Sequence, residues 1–429
     1  MFIMEPKSHD VESDTCCAST PTLHSNVGPP PNGGVQAWCA VAGGHIVTFF
    51  VWGLVNSFGM FQDYYTHSVQ PPLSSPSNVA WIGSIAVFLL MFVPLISGSL
   101  SDIGYYKTVL RVGILIYLVG VFATSVCKTY WQFVLAQGIC VGIADGFMFV
   151  PSMSVVSTYF DSSRRSFAIG IILCGSATGG MVFPIMLNRL FEEVGFGWAV
   201  RIFGFLALVL LVLAERLLKT RLPPKDSPKI FEFGELKDLV FLLFIVGSFL
   251  NFCGLYFAFF FINAYARTKL GLNLRETIPI LMVLNGIGVP GRLLANWAAD
   301  RFFRPIHVQL PINLLIVILL FVWISIDSVT SMYVFAVFYG IPGAAIQSLF
   351  PATLADLTLD PKKTGTRLGM GFAISSFGVL IGSPVGGVLV QVGNGSYLYA
   401  QAFAGGCTTL GFFLVLAAAV VHRRRLKRV

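Results

Sequence analysis

Gly98-Ser99-Leu100-Ser101-Asp102 closes one apolar run and is followed by Gly104, Lys107 and Arg111. Roughly half a chain later, Gly291, Arg292, Asn296, Asp300, Arg301 and Arg304 close another run in much the same way. Each copy sits where an apolar segment meets a basic loop. A phrase repeated at that separation predicts a duplicated chain, and a duplicated membrane chain places two helical bundles about a shared site near the bilayer midplane.

Composition points the same way. Of 429 residues, 55% are hydrophobic and 11% charged, with a mean hydropathy of +0.79. That is too little charge to coat a soluble globule of this size. Crossing a hydrocarbon core of about 30 Å takes about 20 apolar residues as helix, and about twelve such runs can be placed. They start near Trp38, Val79, Val109, Trp131, Ser166, Trp198, Leu239, Thr277, Val308, Met332, Leu368 and Leu398. The runs are continuous and lack the alternating polarity of a barrel wall. The fold expected is an all-α membrane protein, with the helices in two six-helix halves.

Residues 1–37 hold Asp, Glu, Ser, Thr and Pro29-Pro30-Pro31 without apolar periodicity, which reads as a disordered cytosolic tail. No basic segment followed by a short apolar core and cleavage site precedes Trp38, so no signal peptide is expected to be removed. The halves are expected at 38–218 and 238–421. Between them lies a linker, 219–237, with Pro223, Pro224 and Pro228, and a basic tail, 422–429, ends the chain. Starting in the cytosol, the inner loops gather most of the Lys and Arg, including Lys107, Arg111, Arg164, Arg165, Lys362 and Lys363. Insertion favours that asymmetry, with both ends cytosolic. The net charge of +8 then follows from topology, with a lipid bilayer as partner and no nucleic acid. The cysteines show no zinc-type spacing, so neither metal nor cofactor is expected. Cys16 and Cys17 in the tail are an idle pair or a palmitoylation site.

The repeated motif has a mechanical reading. Gly98 would let two helices approach closely, and Asp102 at a helix end could meet Lys107, Arg111 or a helix N-terminus across the two halves. Asp300 and Arg301 repeat the arrangement. Asp102 is then either a latch between states or a solvated loop acid. Arg164 and Arg165 are either gate partners or charges that set topology.

Charged groups inside a span are costly enough to mark a cavity or a pathway. Arg292 lies about 12 Å inside its helix end, where a planar guanidinium suits bidentate capture of a carboxylate or else snorkels to the interface. Asp145, in Gly142-Ile143-Ala144-Asp145-Gly146, could take and release a proton or pair structurally with a helix polar group. His45 reads as a packing residue or a second proton carrier. Asn56, Asn251, Asn285 and Gln347 are candidate hydrogen-bond partners for a substrate, beside the dense aromatics from Phe249 to Tyr265. Asn394-Gly395-Ser396 is a formal glycosylation sequon in a short outer loop.

Residues 32 to 420 resemble the major facilitator superfamily, and within it the fungal branch of the monocarboxylate porter family. The resemblance rests on Gly33-Gly34 with Ala37-Trp38, Asn56-Ser57-Phe58-Gly59 with Phe61-Gln62 and Tyr64-Tyr65, and Trp81-Ile82-Gly83-Ser84. Further carriers are Tyr159-Phe160 with Arg164-Arg165, Ala168, Gly170 and Gly175, and Gly365-Thr366-Arg367-Leu368-Gly369-Met370 with Gly382-Ser383-Pro384. In animal members the arginine matching Arg292 helps bind the substrate carboxylate, preceded one turn earlier by an aspartate and faced by a lysine. This chain has Gly288 and Asn56 at those places, and Asn32 where an acid usually precedes Gly33-Gly34.

The resemblance implies a secondary transporter working by alternating access as a monomer, and with no retention signal evident the plasma membrane is the expected site. Its small-molecule substrate would bear a carboxylate and move with or against protons. The alternative is efflux of a larger neutral or aromatic secondary metabolite, since two charges of the animal site are missing. An enzyme would need clustered His, Cys or acidic residues at a membrane face, and a sensor would carry a long cytosolic extension. Neither is seen, and no GxxxxGK[ST] loop suggests ATP-driven pumping.

Overall fold

The structure is a computed structural model that describes residues 30–65, 74, 76–161, 163–221, 233–358 and 364–426. Among these residues 12 helices are long and apolar enough to cross a membrane. They are α1 (Val35–Asn56), α2 (Asn78–Leu100), α3 (Ile103–Thr124), α4 (Tyr130–Ser157), α5 (Arg165–Glu193) and α6 (Gly195–Leu217). After the linker come α7 (Leu239–Leu270), α8 (Glu276–Arg301), α9 (Pro305–Ser325), α10 (Val329–Asp356), α11 (Thr366–Val392) and α12 (Leu398–Arg425). An even number of crossings puts the start of α1 and the end of α12 on one face, here called the terminal face.

Helix starts fall close to those expected, with α3 the widest departure. It begins at Ile103 rather than Val109 because a π-helical turn, Ser101–Tyr105, joins it almost directly to α2, with Gly104 at φ 104° making the reversal. The basic run after Val421 is not a separate tail as far as it is described, since α12 continues through it to Arg425. Most of the expected N-terminal tail and of the linker, with Cys16, Cys17, Lys362 and Lys363, lies outside the described residues.

Helices α1 to α6 pack mainly among themselves, as do α7 to α12, and the two sets meet along α5 against α8 and α2 against α11. Lipid is as apolar as leucine, so helices in a bilayer associate through close packing rather than hydrophobic exclusion. The same device appears once in each set. A Cβ on Gly175 or Gly179 of α5 would come within 2.4 Å of the His45 carbonyl or 2.3 Å of the Phe49 carbonyl on α1. A Cβ on Gly378 or Gly382 of α11 would come within 2.3 Å of the Phe249 carbonyl or 2.4 Å of the Cys253 carbonyl on α7. Paired glycines four apart against paired carbonyls four apart carry the duplication into three dimensions. Gly98 does not share this role: a Cβ there would find only Val150 Cγ1, at 3.9 Å. The outward sides of α3, α6, α9 and α12 expose Leu115, Val209, Ile318 and Phe413, a belt suited to lipid.

The second helix of each set is broken. α2 turns at Val93 ahead of Pro94, and α8 turns at Ile287 ahead of Pro290. Proline lacks the N–H that would bond four residues back, so the Leu90 and Gly286 carbonyls lose their helical partners. Matching interruptions in two repeats point to a binding site between them.

At the terminal face, Arg367 at the start of α11 is 7% exposed. Its Nε donates to Glu235 at 2.6 Å and its Nη2 to Asp238 at 2.8 Å, while Arg425 of α12 donates to the other oxygen of Asp238 at 2.8 Å. The guanidinium of Arg367 also lies 4.9 Å over the Phe241 ring. This network ties the end of the linker to α7, α11 and α12.

Candidate substrate cavity

A cavity lies between the two sets, lined in part by both broken helices. The first set contributes Trp52, Met91, Phe149, Leu173 and Ser176, and the second contributes Phe252, Tyr256, Arg292, Gln347, Pro351 and Phe372. Arg292 is the one charged residue of the lining. It is 2% exposed and its Nη1 makes no hydrogen bond. A buried guanidinium without a counter-charge is costly, and a ligand anion would offset that cost. Gly288, one turn earlier, leaves the needed room, because a Cβ there would stand 3.0 Å from Arg292 Nη1. With glycine at that place, no side chain there pairs with the guanidinium. Around it, Trp52 and Phe149 meet edge to face at 5.7 Å, as do Phe149 and Phe372 at 6.0 Å. Flat walls of this kind suit rings.

Of the five residues expected at the substrate, Arg292 and Gln347 line this cavity. Asn56 donates to the Ser176 carbonyl at 3.1 Å and Asn285 to the Leu281 carbonyl at 3.1 Å. The two amides flank Gly180 of α5, which makes them a polar seam between the sets rather than cavity lining. Asn251 is placed elsewhere: it faces Gly411 of α12 inside the second set, with neither side-chain polar atom bonded. His45 is held on α5, its Nδ1 2.9 Å from the Ile171 carbonyl and its Nε2 3.3 Å from Thr178 Oγ1. That geometry fits packing, and His45 lines no cavity described here. Asp145 borders a different cavity from Arg292.

The expected gate residues separate in the same way. Asp300 accepts from the backbone N–H of Phe167 at 2.8 Å and of Ser166 at 3.3 Å, so the end of α8 caps the start of α5. Nearby, Gly170 of α5 lies against Asn296 of α8, whose amide donates to Ser348 at 2.8 Å. Arg165 donates to the Phe160 carbonyl at 3.3 Å and Arg164 to the Asn32 carbonyl at 3.1 Å. Asn32 in turn receives the Asp161 backbone N–H at 2.6 Å. Hydrogen bonds from Ser163 and Asn32 hold the Asp161 carboxyl below its usual range. Arg111 pairs with Glu215 of α6 at 2.8 Å, within the first set. Lys107 and Arg301 are exposed. Asp102 sits in the π-helical turn, and its side chain lies outside the described residues. Asn394, at φ 52°, is exposed on the turn between α11 and α12.

Sequence reasoning missed Trp52, Met91 and Phe149 as lining. Each sits among other apolar residues on a helix apolar all round, so no local pattern marks the face that turns to the cavity.

Comparison with known proteins adds four findings. The sequence pattern of the Major Facilitator Superfamily matches residues 36–366. An MFS-type transporter of Gibberella zeae is 41% identical over 400 residues, covering 93% of this chain and 90% of that protein. The aspyridones efflux protein of Emericella nidulans is 33% identical over 395 residues, covering 92% and 80%. Among solved structures, the human organic anion transporter MFSD10 superposes with a TM-score of 0.69 at 15% identity, over 89% of this chain and 100% of that one; at that identity the likeness is one of fold. The two sequence relatives are named as an MFS-type transporter and an efflux protein, and neither is named a monocarboxylate porter.

Proposed function

This chain belongs to the Major Facilitator Superfamily of membrane transporters, and on that premise we propose that it exports an acidic, ring-bearing secondary metabolite by alternating access. The observation that carries the proposal is the unpaired Arg292 guanidinium in an aromatic cavity built by both helix sets. Aromatic walls supply affinity for rings, and the guanidinium supplies the preference for an anion. A relative named for aspyridone efflux supports the outward direction.

The terminal face is assigned to the cytosol, where the Lys and Arg of the intervening loops gather, and the plasma membrane is the natural site for export. With Asp300 capping α5 on that side, the cytosolic entrance is closed in this conformation. A carboxyl embedded at Asp145 supports a proton gradient as the driving force.

The test is to delete the gene in its native host and compare metabolites in cells and medium. One ring-bearing acid should leave the medium and accumulate inside, and wild-type chain but not Arg292→Gln should restore export. An unchanged metabolite distribution in the deletion strain would overturn the proposal.

A further inference from the structure

A second cavity adjoins α1, α2, α4 and α7. On all four helices its lining sits about one turn further from the terminal face than that of the Arg292 cavity: Val55 beyond Trp52, Val87 beyond Met91, Asp145 beyond Phe149 and Phe260 beyond Tyr256. The cavities are therefore stacked along the transport direction. On α1 and α7 the step from one cavity to the other starts at Trp52 and Tyr256, which line the Arg292 cavity. Trp52 of the first set stacks on Tyr256 of the second, with ring centres 6.2 Å apart and planes 15° from parallel. The two residues are 5% and 4% exposed.

Asp145 is 1% exposed and its Oδ1 makes no hydrogen bond. Around it, α1 offers Leu54 and Val55, α2 offers Ala86 and Val87, and α7 offers Phe260. The titratable group facing it is the Tyr117 hydroxyl of α3, which also makes no hydrogen bond. The one other polar neighbour, Gln137 on the π-helical stretch Val134–Cys140 of α4, has its carbonyl occupied by the Tyr65 hydroxyl at 2.7 Å. No Lys, Arg or His is among the described lining. A structural acid would have a partner, and this one faces a chamber lined mostly by apolar side chains.

We propose that Asp145 is the proton-binding residue of the carrier, in a chamber that the Trp52–Tyr256 pair keeps apart from the substrate cavity. When the chamber opens to the far face and water enters, a hydronium ion transfers its proton to the ionised carboxylate. An O–H bond forms on Asp145 and water departs. On opening towards the terminal face, the carboxylic acid returns the proton to water there. Substrate and proton thus use separate, stacked sites. This rests on the proton-driven export proposed above.

The test is pH-difference infrared spectroscopy on the purified full-length chain in lipid bilayers, which reads protonated carboxyl groups without needing a substrate. The wild type should show a carboxylic C=O band that disappears on titration. That band should be lost in Asp145→Asn, retained in Asp300→Asn, and present at a shifted frequency in Asp145→Glu, which keeps the carboxyl should the amide variant fold poorly. A titrating band that survives in Asp145→Asn, or a wild type without one, overturns the assignment. Proton drive is tested separately by wild-type vesicle transport with and without an imposed gradient. Insensitivity there overturns the proposed coupling and leaves the spectroscopic result standing on its own.

Discussion

The Asp300 carboxylate accepts the Phe167 N–H at 2.8 Å and the Ser166 N–H at 3.3 Å, so the last turn of α8 closes the first turn of α5 across the seam between the two helix sets. The first N–H groups of a helix have no partner within it, and an anion there also meets the positive end of the helix dipole. The bond exists only while the sets are closed at this face, so it biases the balance between conformations.

Asp300→Ala should weaken that closure by about 1–2 kcal/mol, a factor of about 5–30 in the balance of states. Cys174 on α5 provides a native reporter, since it is 5% exposed beside the cavity residues Leu173 and Ser176. With the other cysteines replaced, Cys174 should react several-fold faster with a maleimide applied from the terminal face. An unchanged rate at normal protein abundance would show that Asp300 does not hold the entrance shut.

The spans were legible because each is a continuous apolar run long enough to cross lipid. Arg292 and Asp145 were legible because charge in such a run stands out. What the sequence could not show is rotation. Asn251 lies on α7 among apolar residues on every side, so nothing local says that it faces Gly411 rather than the cavity, whereas Tyr256, five residues on, does line it. The Trp52–Tyr256 stack joins residues about 200 apart in the chain, and no short-range pattern encodes such a contact. The repeated motif drew attention to Asp300, which accepts from the Ser166 and Phe167 N–H groups at the seam. It also drew attention to Gly98, while the tight backbone contacts fall on Gly175, Gly179, Gly378 and Gly382.

Gly179→Val and Gly382→Val should each destabilise the protein by about 1–3 kcal/mol or prevent folding, because the added side chain meets a backbone carbonyl that cannot yield without parting two helices. Gly98→Ala should leave the melting temperature near that of the wild type, since the new Cβ has room. Thermal unfolding in one detergent compares all three. Equal losses at the three positions would contradict this reading of the packing.

Removing Glu235 should be costly because Arg367 would lose a buried partner. Glu235→Gln is expected to lose about 3–5 kcal/mol if the guanidinium stays buried, and less if Asp238 takes up the freed donors. Acidification should act differently. Burial alone would raise the Asp238 carboxyl, but hydrogen bonds from Arg425 and Arg367 outweigh it and hold the group below its usual range. A carboxyl depressed in the folded chain stabilises it above the unfolded value near 3.9, and that contribution is lost as pH falls through the folded value. Lowering the pH from about 7 to about 5 should therefore leave this network intact. A melting curve in which mild acid reproduces the Asp238→Asn shift would refute the assignment.

If Trp52 and Tyr256 separate the two cavities, Trp52→Ala should let protons pass without cargo. Proteoliposomes holding a pH-sensitive dye should then lose an imposed gradient several-fold faster than with the wild type, while Phe413→Ala on the lipid side should have no such effect. Equal leak rates for Trp52→Ala and wild type would mean that the stack is not the partition.

The most direct measurement compares binding of 2-naphthoate and its methyl ester, two ligands of nearly one shape that differ in charge, by quenching of tryptophan fluorescence in the purified chain. A charge-assisted hydrogen bond contributes about 1.5–3 kcal/mol, so the wild type should bind the anion about 10-fold or more tightly than the ester. Arg292→Gln should erase that preference while still binding the ester. Equal affinities in the wild type, or a preference for the anion that survives Arg292→Gln, would contradict an acidic, ring-bearing substrate held by Arg292.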